Sequence, residues 1–227
     1  MKLPSFSFER KLWESDYKVV AGIDEVGRGS FAGPVVAGCV VFSPVTGHRS
    51  PVTNEVIIND SKKLTLLQRD NADKWIRQNA LAWGIGQASV AEINKLGIVK
   101  ATEKAFRRAI EAANTKLEDR RFQTSNISHH ISFLLVDAFY IPYVTGLRRR
   151  NQRAIIKGDT KSISIAAASI VAKVYRDKVM TSLSKKSKFK KYGWEQNKGY
   201  GTTKHRQAIK RHGITRLHRR QFVRGLS

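Results

Sequence analysis

Apolar residues fall into short runs early in the chain and into helical spacing later. Val19 to Asp24 predicts a short buried strand, and Pro34 to Phe42 (PVVAGCVVF) predicts a second. Between them EVGRGSFAG is a glycine-rich turn. Residues 43–54, with two prolines and a glycine, read as a loop, and Glu55 to Asn59 as a short third strand. Thr65 can cap a helix running to about Asn79, with Leu66, Leu67, Trp75 and Ile76 on its inner face. Leu81 to Val90 predicts a strand containing glycines. Ile98, Thr102, Ala105, Phe106, Ala109, Ile110 and Ala113 recur at helical spacing and predict a helix over 98–117. Polar residues 118–130 follow as loop, then Ile131 to Asp137 (ISFLLVD) as a central strand. A loop over 142–152 and a short strand from Arg153 to Ile156 precede an alanine-rich, close-packed helix over Ser162 to Leu183. Beyond Ser184 the chain is basic and punctuated by glycine, which predicts short helices.

Strands first, then alternating helix and strand, predict an α/β fold with a mixed sheet. Residues 1–183 form that domain, with a basic helical region, 184–227, beside it. The chain has 227 residues, 41% of them apolar, enough to bury a core and to exclude wholesale disorder. One cysteine excludes an intramolecular disulfide and a thiolate zinc site, and fits a reducing compartment. No apolar run reaches the length of a membrane span, and the first residues lack a secretory apolar stretch. The expected location is cytoplasmic, with no membrane partner.

Charge changes the picture more than composition does. Lys and Arg number 42 against 18 Asp and Glu, a formal net charge of +24. Residues 1–145 carry 19 basic and 15 acidic side chains, whereas 146–227 carry 23 and 3. Solubility does not require so lopsided a distribution, and the partner it suits is a polyanion. Tyr192, Trp194, Tyr200 and several glycines interleave with the cations, which favours nucleic acid over a membrane surface.

Against that background, carboxylates at strand ends stand out. Asp24 and Glu25 end the first strand, Asp137 ends FLLVD, and Asp159 follows AIIKG. Each alone could be a cap, a turn residue or a salt-bridge partner. Together they repel one another unless a divalent cation neutralises them, and oxygen ligands suit Mg²⁺ or Mn²⁺. Neighbouring strand residues face opposite ways, so Asp24 and Glu25 share a site only if the chain bends there. Gly27-Arg28-Gly29 permits such a bend and offers a phosphate partner, although a tight turn alone would also explain it. Tyr200, between glycines in KGYGTTKH, can present its ring to a sugar or serve as a core anchor. His205, His212 and His218 suit phosphate contact or hydrogen bonding better than metal ligation.

Five segments, AGIDEVGRGSFAGPVVAG (21–38), NDSKKLT (59–65), LLVDAF (134–139), KGDTKSISIAAASIVAKVYRD (157–177) and KGYGTTKHRQAIKRHGITRLHRRQF (198–222), together resemble ribonuclease HII of the bacterial type. The resemblance implies a ribonuclease H-like sheet with a C-terminal helical region. It implies a monomer that cleaves RNA within RNA–DNA hybrids and at single ribonucleotides embedded in duplex DNA. Cleavage falls 5′ of the ribonucleotide, leaves 3′-hydroxyl and 5′-phosphate, and serves ribonucleotide removal from DNA. The family's metal-binding and catalytic acids fall on Asp24, Glu25, Asp137 and Asp159, with two Mg²⁺ or Mn²⁺ ions implied. Its substrate-binding turn falls on Gly27, Arg28 and Gly29, and its junction-sensing tyrosine on Tyr200. Lys62, Lys173 and Arg176 match positions expected to hold the phosphate backbone. Ala138 stands where the family commonly has glycine, and 43–55, 118–130 and 140–153 are longer than in a minimal member. A ribonuclease H-like nuclease or integrase acting on DNA, and a non-enzymatic basic nucleic-acid-binding protein, remain as alternative readings.

Overall fold

The computed structural model describes residues 3–44, 56–119 and 130–226. Five strands, β1 (Val20–Val26), β2 (Val35–Val41), β3 (Ala82–Ala88), β4 (Phe133–Asp137) and β5 (Gln152–Ile155), form one mixed sheet in the order β3-β2-β1-β4-β5. The β1–β2 and β2–β3 pairs are antiparallel, and β1–β4 and β4–β5 are parallel. Val35 to Val41 is buried throughout, which accounts for its unbroken apolar run.

Helices cover both faces. One face carries α3 (Val90–Asp119), whose Ala101, Ala105, Phe106, Ala109 and Ala113 pack on Ala21, Ile23, Leu134 and Val136. The other carries α1 (Ser7–Glu14), α2 (Leu66–Asn79) and the long α4 (Ile163–Ser184). The run IAAASIVA lets α4 lie almost on the backbone of the sheet. A Cβ at Gly22 would overlap Ser164, and one at Gly38 would overlap the Ala168 carbonyl. Short helices α5 (Ser187–Lys190), α6 (Trp194–Asn197) and α7 (Thr203–His212) follow, as their sequence predicts. Their core of Phe189, Tyr192, Trp194, Ile209 and Val223 includes Met180 of α4 and Ala32 from the turn after β1.

Several boundaries differ from the sequence reading. Val56 to Asn59 form no strand: Ile58 is buried in the α4-side core and the segment stays irregular, while Glu55 lies outside the described residues. Of the loops expected at 43–54 and 118–130, residues 45–54 and 120–129 also lie outside them, and residues 118 and 119 still belong to α3. Thr65 does cap α2 through a capping box with Gln68, but Leu66 and Leu67 are 64% and 71% exposed. The inner face of α2 is Ala72, Asp73 and Ile76, with Trp75 packed against the same core as expected. The strand expected to reach Val90 stops at Ala88 because Ser89 and Glu92 cap a helical turn that precedes the expected start at 98. That turn joins α3 across Gly97, whose φ is 78°.

No helix was expected before Val19, yet α1 inserts Glu9 and Trp13 into the core. Glu9 Oε1 accepts from the Ser162 hydroxyl at 2.6 Å and the Ser164 amide at 3.0 Å, at the N-terminus of α4. Its Oε2 has no partner among the described residues, and burial raises its pKa. Ionisation is therefore disfavoured in the fold: the cost is complete above the folded-state pKa and vanishes below the unfolded value of about 4.3. Glu9→Gln should match or exceed the parent in melting temperature at neutral pH, with any gain fading as pH falls toward about 4. Glu9→Leu should lose about 1–3 kcal/mol at every pH, because the Ser162 and Ser164 donors are left unpaired. Thermal melts from pH 4 to 8 check both, and a glutamine variant weakened at pH 7 would contradict a cost of ionising Glu9 in the fold.

Candidate active site

Register brings the acids together. The parallel pairing of β1 with β4 ends at Ile23↔Val136, which leaves Asp24 level with Asp137 at the next position. Both project from the α4 face, because Gly22 and Leu135, two residues earlier on each strand, meet that face. Glu25 projects the other way. The bend expected beside Asp24 comes later: β1 continues to Val26, and the chain turns over Gly27–Ser30, closed by the Ser30 amide on the Gly27 carbonyl at 3.3 Å. Asp24 and Glu25 still line one cavity, reached from both sides of the strand end.

Asp137 ends β4 in a tight turn. The Phe139 amide donates to the Asp137 carbonyl at 2.9 Å, around Ala138 at φ 65°. That positive φ is the physical reason a glycine would be favoured at this position. Asp137 Oδ1 accepts from the Gly158 amide at 2.7 Å, which ties β4 to the 3-10 turn Gly158–Thr160 carrying Asp159.

The electrostatics follow from crowding. Burial, then the charges of Glu25 and Asp137, push the Asp24 carboxyl well above its usual range, against a hydrogen bond from Ser169. Burial raises Glu25, which Arg28 at 3.7 Å counters and Asp137 reinforces. Burial also raises Asp159, followed by the charges of Asp60 and Asp137, with Lys62 opposing. Among the described residues no three His, Cys, Asp or Glu side chains converge closely enough to hold a metal ion as they stand. Asp24, Glu25 and Asp137 suit a divalent cation in donor chemistry, as mutually repelling oxygen ligands. Asp159 stands at the margin, facing Asp60 and Lys62.

A cavity of about 440 Å³ is lined by Asp24, Glu25, Gly27, Arg28, Gly29, Lys62, Lys173 and Tyr200, together with Ser61 and Ser169. The two serines were not singled out from the sequence, and their hydroxyls are 3.0 Å apart. The available signal was polarity: Ser169 interrupts an apolar helical run beside the acids. Lys173 Nζ bonds Asp177 at 2.7 Å.

Arg176 corrects an expectation. It does not face the cavity as a phosphate ligand but is fully buried behind it. Its guanidinium donates to the carbonyls of Pro34, Ala32 and Lys198 and to the Ser30 hydroxyl, at 2.8–3.2 Å. Arg219, also fully buried, donates to the carbonyls of Gly33 and Arg28 at 2.8–3.0 Å. Burial drives the Arg219 pKa down to about 9.

The Tyr200 ring is half-buried, 5.4 Å from the Arg176 guanidinium carbon. Behind it, His205 and His218 are buried and hydrogen-bonded. The Thr215 amide donates to His218 Nδ1 at 2.9 Å, so the His218 proton lies on Nε2 and donates to His205 Nε2 at 3.2 Å. His205 Nε2 also accepts from Trp194, and His205 Nδ1–H donates to the Tyr200 carbonyl at 2.9 Å. Burial lowers both pKa values, that of His218 to about 4, which keeps the chain neutral.

A mixed sheet with carboxylates level on adjacent parallel strands, and helices on both faces, has the ribonuclease H-like fold. The same fold is seen in the crystal structure of ribonuclease H2 from Pyrococcus horikoshii OT3, which aligns at a TM-score of 0.66 and 22% identity over 92% of this chain and 96% of that one. The family model for Ribonuclease HII matches residues 21–225. A curated ribonuclease HII of Wolbachia pipientis is 43% identical over 98% of both chains, and that of Pelagibacter ubique is 42% identical over 90% of this chain and 96% of its own. The chain belongs to the ribonuclease HII family and is a ribonuclease H endonuclease. No helix among the described residues is long and apolar enough to cross a membrane.

The two glycines of the turn should separate folding from binding. A Cβ at Gly27 (φ 88°) would overlap the Arg176 guanidinium, whereas one at Gly29 meets nothing within 4 Å. Gly27→Ala should cost about 1–2 kcal/mol from backbone strain alone and lower the melting temperature by a few degrees. Gly29→Ala should melt like the parent yet cleave more slowly, because its methyl enters the cavity. Equal melting temperatures for the two variants would refute the assignment.

Proposed function

We propose that the protein hydrolyses the phosphodiester 5′ of a ribonucleotide, both in RNA–DNA hybrids and at single ribonucleotides in duplex DNA, leaving 3′-hydroxyl and 5′-phosphate ends. Its role on this reading is to begin ribonucleotide removal from DNA, acting as a monomer in the cytoplasm. The observation that carries the reading is the placement of Asp24 level with Asp137 on adjacent parallel strands, with Asp24 lining a cavity shared with Gly27–Gly29 and Tyr200.

Asp24, Glu25 and Asp137, with Asp159 at the margin, would hold Mg²⁺ or Mn²⁺, in two positions. Bound there, the cations supply Lewis acidity for the attacking water and for the departing 3′-oxygen. The protein residues do the rest. Asp24 is fixed by Ser169 and the Glu25 amide, and Asp137 by the Gly158 amide. Lys62 and Lys173 place positive charge beside the phosphate, and no side-chain nucleophile is required. Gly29 lets backbone approach the 2′-hydroxyl, the group that distinguishes ribose from deoxyribose. Tyr200 then stacks on the adjoining sugar, where a second 2′-hydroxyl would clash.

A labelled duplex with a single ribonucleotide should be nicked with Mg²⁺ or Mn²⁺ and left intact in EDTA. Asp137→Asn should lower cleavage by about three orders of magnitude while melting as well as the parent in EDTA. The substituted side chain keeps an oxygen that can accept from the Gly158 amide, and it no longer repels Asp24. Substantial residual cleavage would remove Asp137 from the metal site.

Tyr200→Ala should fold, bind duplex, and lose far more activity at a single ribonucleotide than on a continuous hybrid. A lowered melting temperature with equal losses on both substrates would make Tyr200 a packing residue instead.

A further inference from the structure

The turn that carries Asp159 is weakly secured by its own neighbours. It leaves β5, a four-residue strand at the edge of the sheet. Lys157 enters it at φ 56°, a conformation that non-glycine residues seldom adopt. Gly158–Thr160 is then a single 3-10 turn, short and poorly bonded. Yet Asp159 is buried within reach of the Asp60 and Asp137 charges, and the Gly158 amide must meet Asp137. What holds the far end of the turn comes from the start of the chain. The Ser5 amide donates to the Lys161 carbonyl at 3.1 Å, and the Ser5 carbonyl accepts from the Ile163 amide at 3.4 Å. Glu9 Oε1 accepts from the Ser162 hydroxyl and the Ser164 amide. Each of the residues 161–164 is thus bonded to the arm 5–9. Phe6 and Trp13, buried in the α4-side core, anchor that arm on either side of Glu9. The Lys161 and Ser162 amides in turn donate to the Gly158 carbonyl at 2.9 and 2.8 Å, which closes the path back to the acid-bearing turn.

We infer that Glu9 is a positioning residue for cleavage: through Ser162 and Ser164 it fixes the segment that presents Asp159 and aims the Gly158 amide at Asp137. The inference rests on the cleavage reading above and adds a residue that never touches the site. A cap for α4 alone would not require it. Ser162 already accepts from the Ile165 amide with its own hydroxyl, and Thr202 caps α7 with no acid from a distant segment. Packing alone would not require it either, because a leucine fills similar space without burying a carboxylate. What a buried acceptor adds is direction. One oxygen shared by two donors sets the place of both residues, where an apolar side chain would let them slide. Carboxylates that take a divalent cation must be held to a fraction of an ångström, and the groups that orient them typically change metal affinity by about 10- to 100-fold.

The test titrates Mn²⁺ alone into the nucleic-acid-free protein by calorimetry, at neutral pH and at a temperature where the variants are folded. Hydrogen exchange of the Lys161 and Ser162 amides is read in the same buffer without metal. Glu9→Leu should bind Mn²⁺ about tenfold more weakly, and the two amides should exchange at least about tenfold faster. Glu9→Gln, which keeps the acceptor oxygen, should restore both. Ser162→Ala removes the same bond from its other end and should shift both in the same direction, which keeps the test decisive should Glu9→Leu not fold. Ile110→Val, a core truncation on α3 across the sheet, controls for lost stability: it should melt a few degrees lower and change neither. Parent-like Mn²⁺ affinity in Glu9→Leu or, failing its folding, in Ser162→Ala would overturn the positioning role. So would an equal loss in Ile110→Val, or a glutamine variant that does not restore binding. A parent that binds Mn²⁺ but nicks no ribonucleotide-containing duplex would instead sink the cleavage reading, with the Mn²⁺ comparison still deciding what Glu9 does.

Discussion

The site depends on two arginines that never reach it. Arg176 and Arg219 lie wholly inside the protein and between them occupy carbonyls at Arg28, Ala32, Gly33, Pro34 and Lys198. A turn crowded with glycine has little rigidity of its own, and its carbonyls would need water if left unpaired. The guanidinium forks satisfy several at once, in a planar geometry lysine could not reproduce. Desolvating two cations is costly, and the lowered pKa of each records it. What offsets the cost is a fixed path from Gly27 to Pro34, against which the C-terminal region and the Tyr200 ring are set.

A second constraint is the contrast between the whole chain and its centre. The surface is strongly cationic, yet Asp24, Glu25 and Asp137 raise one another's energy at the end of the sheet. The surrounding cations do not neutralise them internally: Lys173 is committed to Asp177, and Arg28 reaches only Glu25. A polyanion is thus drawn to the molecule by the surface, while the carboxylates stay available to divalent cations.

Much of this was legible in the sequence because it is written in local patterns. Val35–Val41, ISFLLVD and the alanine-rich helix declare their burial by composition, and Thr65 declares its cap. The acids were found because strand ends and carboxylates coincide in the chain. What stayed hidden depends on partners distant in sequence. Arg176 and Lys173 look alike in KVYRD, and only the packing of residues 30–34 and 198 against α4 decides that the arginine turns inward. Glu9 was invisible because its partners, Ser162 and Ser164, lie over 150 residues away. Leu66 and Leu67 misled for the opposite reason, since apolar character at helical spacing does not say whether the core reaches that turn.

The bond from Arg219 to the Arg28 carbonyl joins residues 191 positions apart. Synthesis is vectorial, so the acids of β1 leave the ribosome long before the residue that shapes the turn beside them. A nascent or prematurely terminated chain that stops short of Arg219 holds Asp24, Glu25, Asp137 and Asp159 but lacks one half of the clamp. The turn beside the acids therefore takes its final shape only once Arg219 has been made and packed against it.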